Sequence, residues 1–262
     1  DGLNRYDGAK FTIYKHEPNN EHSLAHNFVR TVFEDSKGHL LIGTYIGIQM
    51  YDPATDNFTP LAKLEDTGET LESNINSFIE RKNGEIWVSG NVLCKLNIKD
   101  HLLTVRKVDI AVTSPGSLFE DKKQNVWMAK GEEGVYQLTP DNQLTLHLSK
   151  DNGYVKSICE DQRGNIYVGS IRKGLFIYDK ECKTFVPVDL KEKGELPVCF
   201  LYSGIPNELY IGTDGKGVAI YNIRTHEISE YKFDNNYFDS GNSKIHSILK
   251  DNSGTVSYTH LT

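Results

Sequence analysis

A short pattern of residues recurs six times along the chain, and this repetition constrains the fold more than any other feature. Each copy can be anchored on one turn position, and the anchors are Gly38, Gly84, Gln124, Gly164, Asn207 and Gly254. Subtracting their numbers gives intervals of 46, 40, 40, 43 and 47 residues. Repeats of about 40 to 50 residues are typical of β-propeller blades.

The residues after the anchor keep one order of sizes in five copies. The third position is large: Leu41, Trp87, Trp127, Tyr167 and Tyr210. The fourth is apolar: Ile42, Val88, Met128, Val168 and Ile211. The fifth is small: Gly43, Ser89, Ala129, Gly169 and Gly212. A triplet that stays in step over five copies favours one repeated structural unit over unrelated hairpins.

Each copy reads as a four-stranded antiparallel sheet. In the first full copy, apolar runs near residues 29–33, 40–44, 47–51 and 57–61 are separated by Asp, Ser and Gly clusters, which is the pattern of strands and tight turns. One such sheet cannot bury both of its faces, so neighbouring sheets must stack. The sequence therefore predicts an all-β propeller of four-stranded antiparallel blades.

The predicted propeller spans residues 1–255. Five complete blades are expected, over residues 28–72, 73–112, 113–152, 153–195 and 196–243, with partial blades at 1–27 and 244–255. Because the chain opens on a third strand (Gly2 to Tyr6), we expect a fragment of a larger propeller, either closed into a strained six-bladed ring or left as an open arc. Residues 256–262 resemble the translation of a sequencing adapter and are expected to be a non-native tail; the alternative is a divergent strand.

Composition excludes several classes of function. The formal net charge is −7 with mixed signs, which argues against a nucleic-acid partner. No apolar run approaches the roughly 20 residues of a membrane helix, so this fragment is expected to make no membrane contact. The cysteines show no metal-ligand or disulfide spacing and are expected to be free: Cys94, Cys159, Cys182 and Cys199.

The repeat resembles that of a known family. The pattern V-x-x-I-x-E-D-x-x-G-x-[LW]-[IV]-G-T-x-x-G-[LI]-x-x-Y-[DN] is similar to the two-component regulator propeller repeat, with its best matches around Glu34-Asp35, Glu160-Asp161 and Ile211-Gly212-Thr213. The resemblance covers nearly the whole chain, with departures at Arg81, Ser89, Gln124 and Gly204. It implies seven-bladed propellers in the extracytoplasmic sensor region of Bacteroidetes hybrid histidine kinases. It also implies a periplasmic location and a membrane-anchored, homodimeric parent protein whose kinase domain lies outside this chain.

No catalytic residue, metal ligand or cofactor is predicted. The nucleophile elbow, the P-loop and the H-E-x-x-H motif are all absent from the sequence. Glu21, His22 and His26 lie close together but are expected to occupy a surface loop. The repeated acids Asp35, Asp121, Asp161 and Asp251 share a D-x-x-G turn, and because Asp side chains bond nearby backbone amides, a turn-forming role is expected.

Binding is the favoured function. The turns between the second and third strands differ from copy to copy, and their polar and aromatic residues are predicted to contact an oligosaccharide or another small polar ligand. The candidate residues are Tyr45, Asn91, Lys130, Arg172, Lys173, Asp214 and Lys216. With the resemblance, this favours a ligand sensor that controls polysaccharide utilisation. The alternatives are a propeller enzyme of the streptogramin-lyase type and a protein–protein interaction platform.

Overall fold

Nearly every regular element of the protein is a β-strand. The computed structural model describes residues 2–148, 150–190, 196–230, 244–250 and 256–261. Within these ranges the one helical element is a single 3₁₀ turn, Lys150–Asn152. The predicted all-β class is therefore confirmed for the described residues.

The chain forms two compact units, Asp1–Leu118 and Phe119–Thr262. The strands of the first unit are β1 Leu3–Tyr6, β2 Phe11–Tyr14, β3 Val29–Glu34, β4 Leu40–Thr44, β5 Ile48–Asp52, β6 Asn57–Phe58, β7 Lys63–Leu64, β8 Ser77–Glu80, β9 Ile86–Ser89, β10 Leu93–Lys99 and β11 Leu102–Lys107. They form a β1-β2 hairpin, a β3-β4-β5-β6 sheet and a β7-β11-β10-β9-β8 sheet. Neighbouring strands are antiparallel except β7, which runs parallel to β11.

The second unit repeats the same sheet. Its strands are β12 Leu118–Glu120 (which begins at the last residue of the first unit), β13 Val126–Lys130, β14 Gly134–Leu138, β15 Leu144–Leu148, β16 Val155–Glu160, β17 Ile166–Ser170, β18 Gly174–Asp179, β19 Thr184–Pro187, β20 Val198–Ile205, β21 Glu208–Thr213, β22 Val218–Asn222, β23 Ile228–Glu230, β24 Lys244–Lys250 and β25 Val256–Leu261. Three four-stranded sheets follow chain order, β12 to β15, β16 to β19 and β20 to β23, and a β24-β25 hairpin follows them. Consecutive four-stranded antiparallel sheets are the blades of a β-propeller, as predicted.

The anchor position of every described repeat has a left-handed backbone. The φ angles are 84° at Gly38, 81° at Gly84, 66° at Gln124, 81° at Gly164 and 61° at Asn207. Glycine adopts such angles without a steric penalty, and Asn does so more readily than most residues. This explains why Gly dominates the position and why Asn207 can replace it; Gln124 adopts the same conformation. Gly254 lies outside the described residues.

The repeated Asp builds the turn that it begins. Asp121 Oδ1 accepts hydrogen bonds from the backbone N–H groups of Lys123 and Asn125, both at 2.9 Å. Its Oδ2 accepts hydrogen bonds from Asn125 Nδ2 at 2.8 Å and Trp127 Nε1 at 2.9 Å. The same pattern surrounds Asp161, and at Asp35 a His39 ring nitrogen takes the place of the amide. The predicted turn-forming role is confirmed for these three; Asp251 lies outside the described residues.

Hydrogen bonding also sets the pKa of Asp35. Burial raises this pKa, but hydrogen bonds from the His39 ring and from the N–H groups of His39 and Lys37 lower it by a larger amount, so the net shift is downward. Asp35 is therefore a carboxylate committed to its turn rather than a poised acid.

The second copy replaces this arrangement with one of opposite charge. Arg81 stands where four of the other copies have Asp, and its guanidinium lies 3.7 Å from Glu85 and 4.7 Å from the centre of the Trp87 ring. Glu85 accepts a hydrogen bond from Trp87 Nε1 at 3.1 Å and pairs with Lys95 at 2.7 Å. The departure from the repeat is thus compensated locally, and the turn keeps its shape.

Small residues in the second strand make room for the next sheet. A Cβ added to Gly169 would lie 2.3 Å from Val198 Cγ1, at the start of the following first strand. Equivalent contacts would be 2.6 Å between Gly43 and Ile75 and 2.7 Å between Gly212 and Ile245. The small member of the triplet is therefore a packing requirement between neighbouring sheets.

Apolar clusters join adjacent sheets within each unit. In the first unit, one cluster joins the β3–β6 and β7–β11 sheets around Leu41, Ile48 and Val105, and another holds the β1-β2 hairpin against Phe58. In the second unit, clusters lie between each pair of consecutive sheets. These faces are the ones that an isolated sheet would leave exposed.

A glutamate also connects each of two sheets to the turn of the sheet before it. Glu80 accepts hydrogen bonds from Ser36 N at 2.7 Å and Ser36 Oγ at 2.5 Å. Glu160 accepts one from the backbone N–H of Lys122 at 3.1 Å. The residue that precedes the repeated Asp position thus contacts the neighbouring repeat, whereas the Asp side chain forms hydrogen bonds within its own repeat.

Two segments differ from the simplest reading of the sequence. The predicted fourth strand at residues 57–61 is only Asn57–Phe58, and Lys63–Leu64 instead pairs with β11 of the next sheet. Val256–Leu261 pairs with β24, so the backbone of the expected non-native tail forms a strand. The four cysteines, all within the described residues, form no disulfide, and burial raises the pKa of the Cys94 thiol to about 11.

Candidate functional site

The predicted binding residues lie at the ends of second strands, opposite the D-x-x-G turns of the same sheets. Tyr45 and Asn91 belong to the first unit, and Lys130, Arg172, Lys173, Asp214 and Lys216 to the second. Within each sheet the two ends of the second strand therefore differ: one carries the repeated turn, and the other carries residues that change from copy to copy.

Tyr45 is part of an exposed aromatic group. It follows β4 directly, and its backbone N–H donates to Phe28 O at 3.1 Å. Its ring is 55% exposed and lies 5.6 Å from the ring of His26 and 6.5 Å from that of Phe28. The rings of His26, Phe28 and Tyr45 thus form an aromatic patch at the surface. Such a patch can contact the apolar face of a ligand.

Asn91 lines an open groove of about 730 Å³. Its backbone N–H donates to Ser73 Oγ at 2.9 Å, and its carbonyl accepts a hydrogen bond from Ser114 N at 2.9 Å. The groove also carries Lys63, Leu64, Gly68, Glu69, Thr70, Leu71, Glu72, Ser73, Val92 and Lys107. Its walls offer charges of both signs and several hydroxyl and amide groups, which suits a polar, uncharged ligand better than a strongly charged one.

In the second unit, two of the predicted cations, Lys130 and Arg172, are paired with acids of one turn. Lys130 Nζ lies 2.7 Å from Glu133, and Arg172 Nη2 lies 3.1 Å from Glu132. The Arg172–Glu132 pair joins the turns of two consecutive sheets, and the two side chains are 67% and 60% exposed. The structure thus brings Lys130 and Arg172 to acids of one turn, where the Arg172 side chain is exposed and the Lys130 side chain is only 13% exposed.

The other predicted residues are held mainly by their backbones. Lys173 N donates to Ser170 Oγ at 3.2 Å, and Lys216 N donates to Thr213 Oγ1 at 2.9 Å. Asp214 N donates to Pro197 O at 2.9 Å. These bonds fix the turns on which the three side chains stand.

Tyr154 is a surface residue that the sequence reasoning missed. It occupies the position just before β16, as Phe28 does before β3, and it is 43% exposed. Its carbonyl accepts a hydrogen bond from Ile171 N at 2.9 Å, which matches the bond between Phe28 and Tyr45. The available signal was the shared position of these two aromatic residues, ten before the anchor in both copies.

Two copies of the repeat match a known family model. The family model for the two component regulator propeller matches residues 23–45 and 149–172. Each segment covers a link and the first two strands of a sheet, the part that carries the buried Asp turn. These two repeats match the two component regulator propeller family. No curated protein sequence matches the chain.

Solved structures of other proteins share the fold of this chain. An extracellular domain of a hybrid two component system from B. thetaiotaomicron is 17% identical, with a TM-score of 0.72 over 95% of this chain and 34% of its own. A catalytically inactive virginiamycin B lyase from Staphylococcus aureus, solved with quinupristin, is 14% identical, with a TM-score of 0.69 over 96% of this chain and 81% of its own. PorZ of Porphyromonas gingivalis is 13% identical, with a TM-score of 0.70 over 97% and 41%. The chain spans about a third of the length of the first of these.

Among the described residues, no group of three or more His, Cys, Asp or Glu side chains could hold a metal ion. No helix in the described part of the chain is long and apolar enough to cross a membrane.

Proposed function

We propose that this chain is the ligand-sensing part of the extracytoplasmic region of a hybrid two-component sensor histidine kinase. The observation that carries the proposal is the match of two repeats to the regulator propeller family model. The fold similarity to an extracellular domain of a hybrid two component system supports the same assignment. The kinase domain, the membrane anchor and a homodimeric parent protein are part of this proposal.

The ligand is an oligosaccharide or another small polar molecule. The rim residues include an exposed aromatic ring at Tyr45 and an exposed guanidinium at Arg172. Rings contact the C–H faces of sugars, and charged groups hydrogen-bond to hydroxyls, so each of these two kinds of group suits a carbohydrate. Binding would control polysaccharide utilisation by favouring one of two arrangements of the dimer.

The test is ligand-dependent signalling by the parent sensor, with a reporter, after the double substitution Tyr45→Ala and Arg172→Ala. We expect a weakened response, together with weaker binding of plant and host glycan fragments measured by isothermal titration of the complete sensor region. The matched control replaces exposed lysines of the opposite turns, Lys37→Ala and Lys123→Ala, and should respond normally. Unchanged signalling by the first variant would remove the site assignment.

The enzyme alternative rests only on the fold similarity to the lyase. It predicts turnover of a streptogramin by the chain, which is checked by incubation with quinupristin and mass spectrometry of the products. A lyase that opens a ring by elimination leaves the mass unchanged, so a species of the same mass that elutes differently and fragments differently would favour the enzyme over the sensor. An unchanged antibiotic would leave the sensor as the proposal. A protein–protein interaction platform predicts instead that the reporter responds to a protein partner.

A further inference from the structure

The ring of Tyr154 lies over a glycine of the preceding sheet. A Cβ added to Gly131 would lie 2.9 Å from Cε2, 3.2 Å from Cζ and 3.5 Å from Cδ2 of Tyr154. These three distances place that point above the ring plane, near the Cε2–Cζ edge. The backbone of Gly131 therefore packs against one face of the ring near this edge, and Tyr154 as a whole stays 43% exposed.

The backbone holds this contact in place. Gly131 has a φ of 47°, and its carbonyl accepts a hydrogen bond from Val155 N at 2.9 Å, next in the chain to Tyr154. The two segments also form an isolated β-bridge between Gly131 and Val155. An aromatic platform fixed from below loses little conformational entropy when a ligand stacks on it.

Polar groups border the ring on the side of the next turn. A Cβ added to Gly153 would lie 3.0 Å from Arg172 Cβ and 3.3 Å from Lys173 Cγ, so these side chains begin beside the residue that precedes Tyr154. The Arg172 guanidinium then pairs with Glu132, the residue after Gly131. A flat ring, a guanidinium and a carboxylate thus lie on one surface.

The charge balance of this surface indicates the kind of sugar that it fits. The pairs Arg172–Glu132 and Lys130–Glu133 each combine one positive and one negative group. Such pairs can exchange hydrogen bonds with hydroxyl groups, but they give little net attraction for a charged sugar. The two pairs therefore suit the hydroxyl groups of a neutral pyranose, while Lys173, which begins beside Gly153, adds one positive charge outside these pairs.

We propose that Tyr154, Arg172 and Glu132 form a saccharide subsite that takes one neutral pyranose unit of an oligosaccharide. The C–H face of the sugar stacks on the open face of Tyr154, and the ion pair binds its hydroxyl groups. The inference rests on the proposed function, because it names the ligand class and the residues of that same rim.

The experiment is isothermal titration of the full 262-residue chain with neutral hexasaccharides of β-1,4-linked glucose, β-1,4-linked xylose and α-1,4-linked glucose. For the hexasaccharide that binds, we expect Tyr154→Ala to weaken affinity by at least about tenfold and Tyr154→Phe to keep it within about threefold, since stacking does not need the hydroxyl. Tyr6→Ala removes a similarly exposed ring on β1 and should bind like the wild type. Thermal unfolding of each variant shows whether it is folded.

A readout that does not depend on the alanine variant is saturation transfer from the protein to the sugar in the wild type. The ring C–H protons of the bound pyranose should receive the strongest transfer, and Arg172→Ala should weaken affinity without changing that pattern. Equal affinity of Tyr154→Ala and wild type would overturn the subsite but leave the proposed function standing. Failure of all three hexasaccharides to bind the wild type would overturn the subsite, whereas the reporter response of the parent sensor decides the proposed function.

Discussion

Asp121 offers the sharpest test of how the repeated turn is stabilised. The carboxylate is buried and accepts hydrogen bonds from two backbone N–H groups, from Asn125 Nδ2 and from Trp127 Nε1. The indole is 1% exposed, so water cannot replace the lost acceptor. An unsatisfied buried donor costs about 1–3 kcal/mol, and Asp121→Ala leaves two side-chain donors unsatisfied, which gives about 4 kcal/mol. Asp121→Asn keeps one acceptor oxygen and should cost about half of that.

The assay is urea unfolding at pH 7, followed by tryptophan fluorescence, with thermal unfolding as a second measurement. About 4 kcal/mol corresponds to a decrease in Tm of roughly 10 °C for a chain of this size. Asp141→Ala, at an exposed position of the same sheet, is the matched control and should change stability by less than about 0.5 kcal/mol. If Asp121→Ala stays within about 1 kcal/mol of the wild type, the carboxylate does not hold the turn and the reasoning is refuted.

Two further predictions concern packing and pH. Gly169→Ala should lower the free energy of unfolding by about 1–3 kcal/mol through overpacking against Val198, and by less in a Val198→Ala background. Urea unfolding measures both costs, and equal costs in the two backgrounds would contradict the contact. Hydrogen bonding from Lys95 lowers the pKa of Glu85 to about 2 from the usual 4.5, so its stabilisation is present above pH 4.5 and is lost as the pH falls towards 2. Because this side chain is 36% exposed, roughly 1 kcal/mol is expected, and the stability difference between wild type and Glu85→Gln should shrink from pH 6 to pH 3; a constant difference would contradict the assignment.

The sequence predicted the features whose causes lie within one repeat. The turn around Asp161 depends on residues no more than six positions away, and the left-handed angle at Gly164 is a property of that residue alone. Alternation of apolar residues likewise marks individual strands, because it reflects their two faces. These local causes recur with the period of the repeat, so the blade architecture was visible without coordinates.

Features that depend on contacts between repeats were not visible. Tyr154 matters because Gly131, in another turn, lacks a side chain beneath it. The pairing of Arg172 with Glu132 also joins two sheets, so the sequence suggested only that each is a polar loop residue. The two-residue strand at Lys63–Leu64 is too short to carry a periodic pattern. Its parallel pairing with β11 follows from the path of the segment that joins β6 to β8.

The contact from Glu160 to the turn of the preceding sheet ends on the backbone amide of Lys122 rather than on its side chain. Any residue other than proline presents the same amide, whereas the Lys122 ammonium adds bonds to Asp161 O at 3.1 Å and Gln162 O at 2.6 Å that a substitution would remove. A duplicated or exchanged copy would therefore keep the amide part of the joint with an unfamiliar neighbour, whatever residue stands at this position. Arrays of different lengths could arise by recombination, each keeping its joints while the opposite rim acquires new specificities.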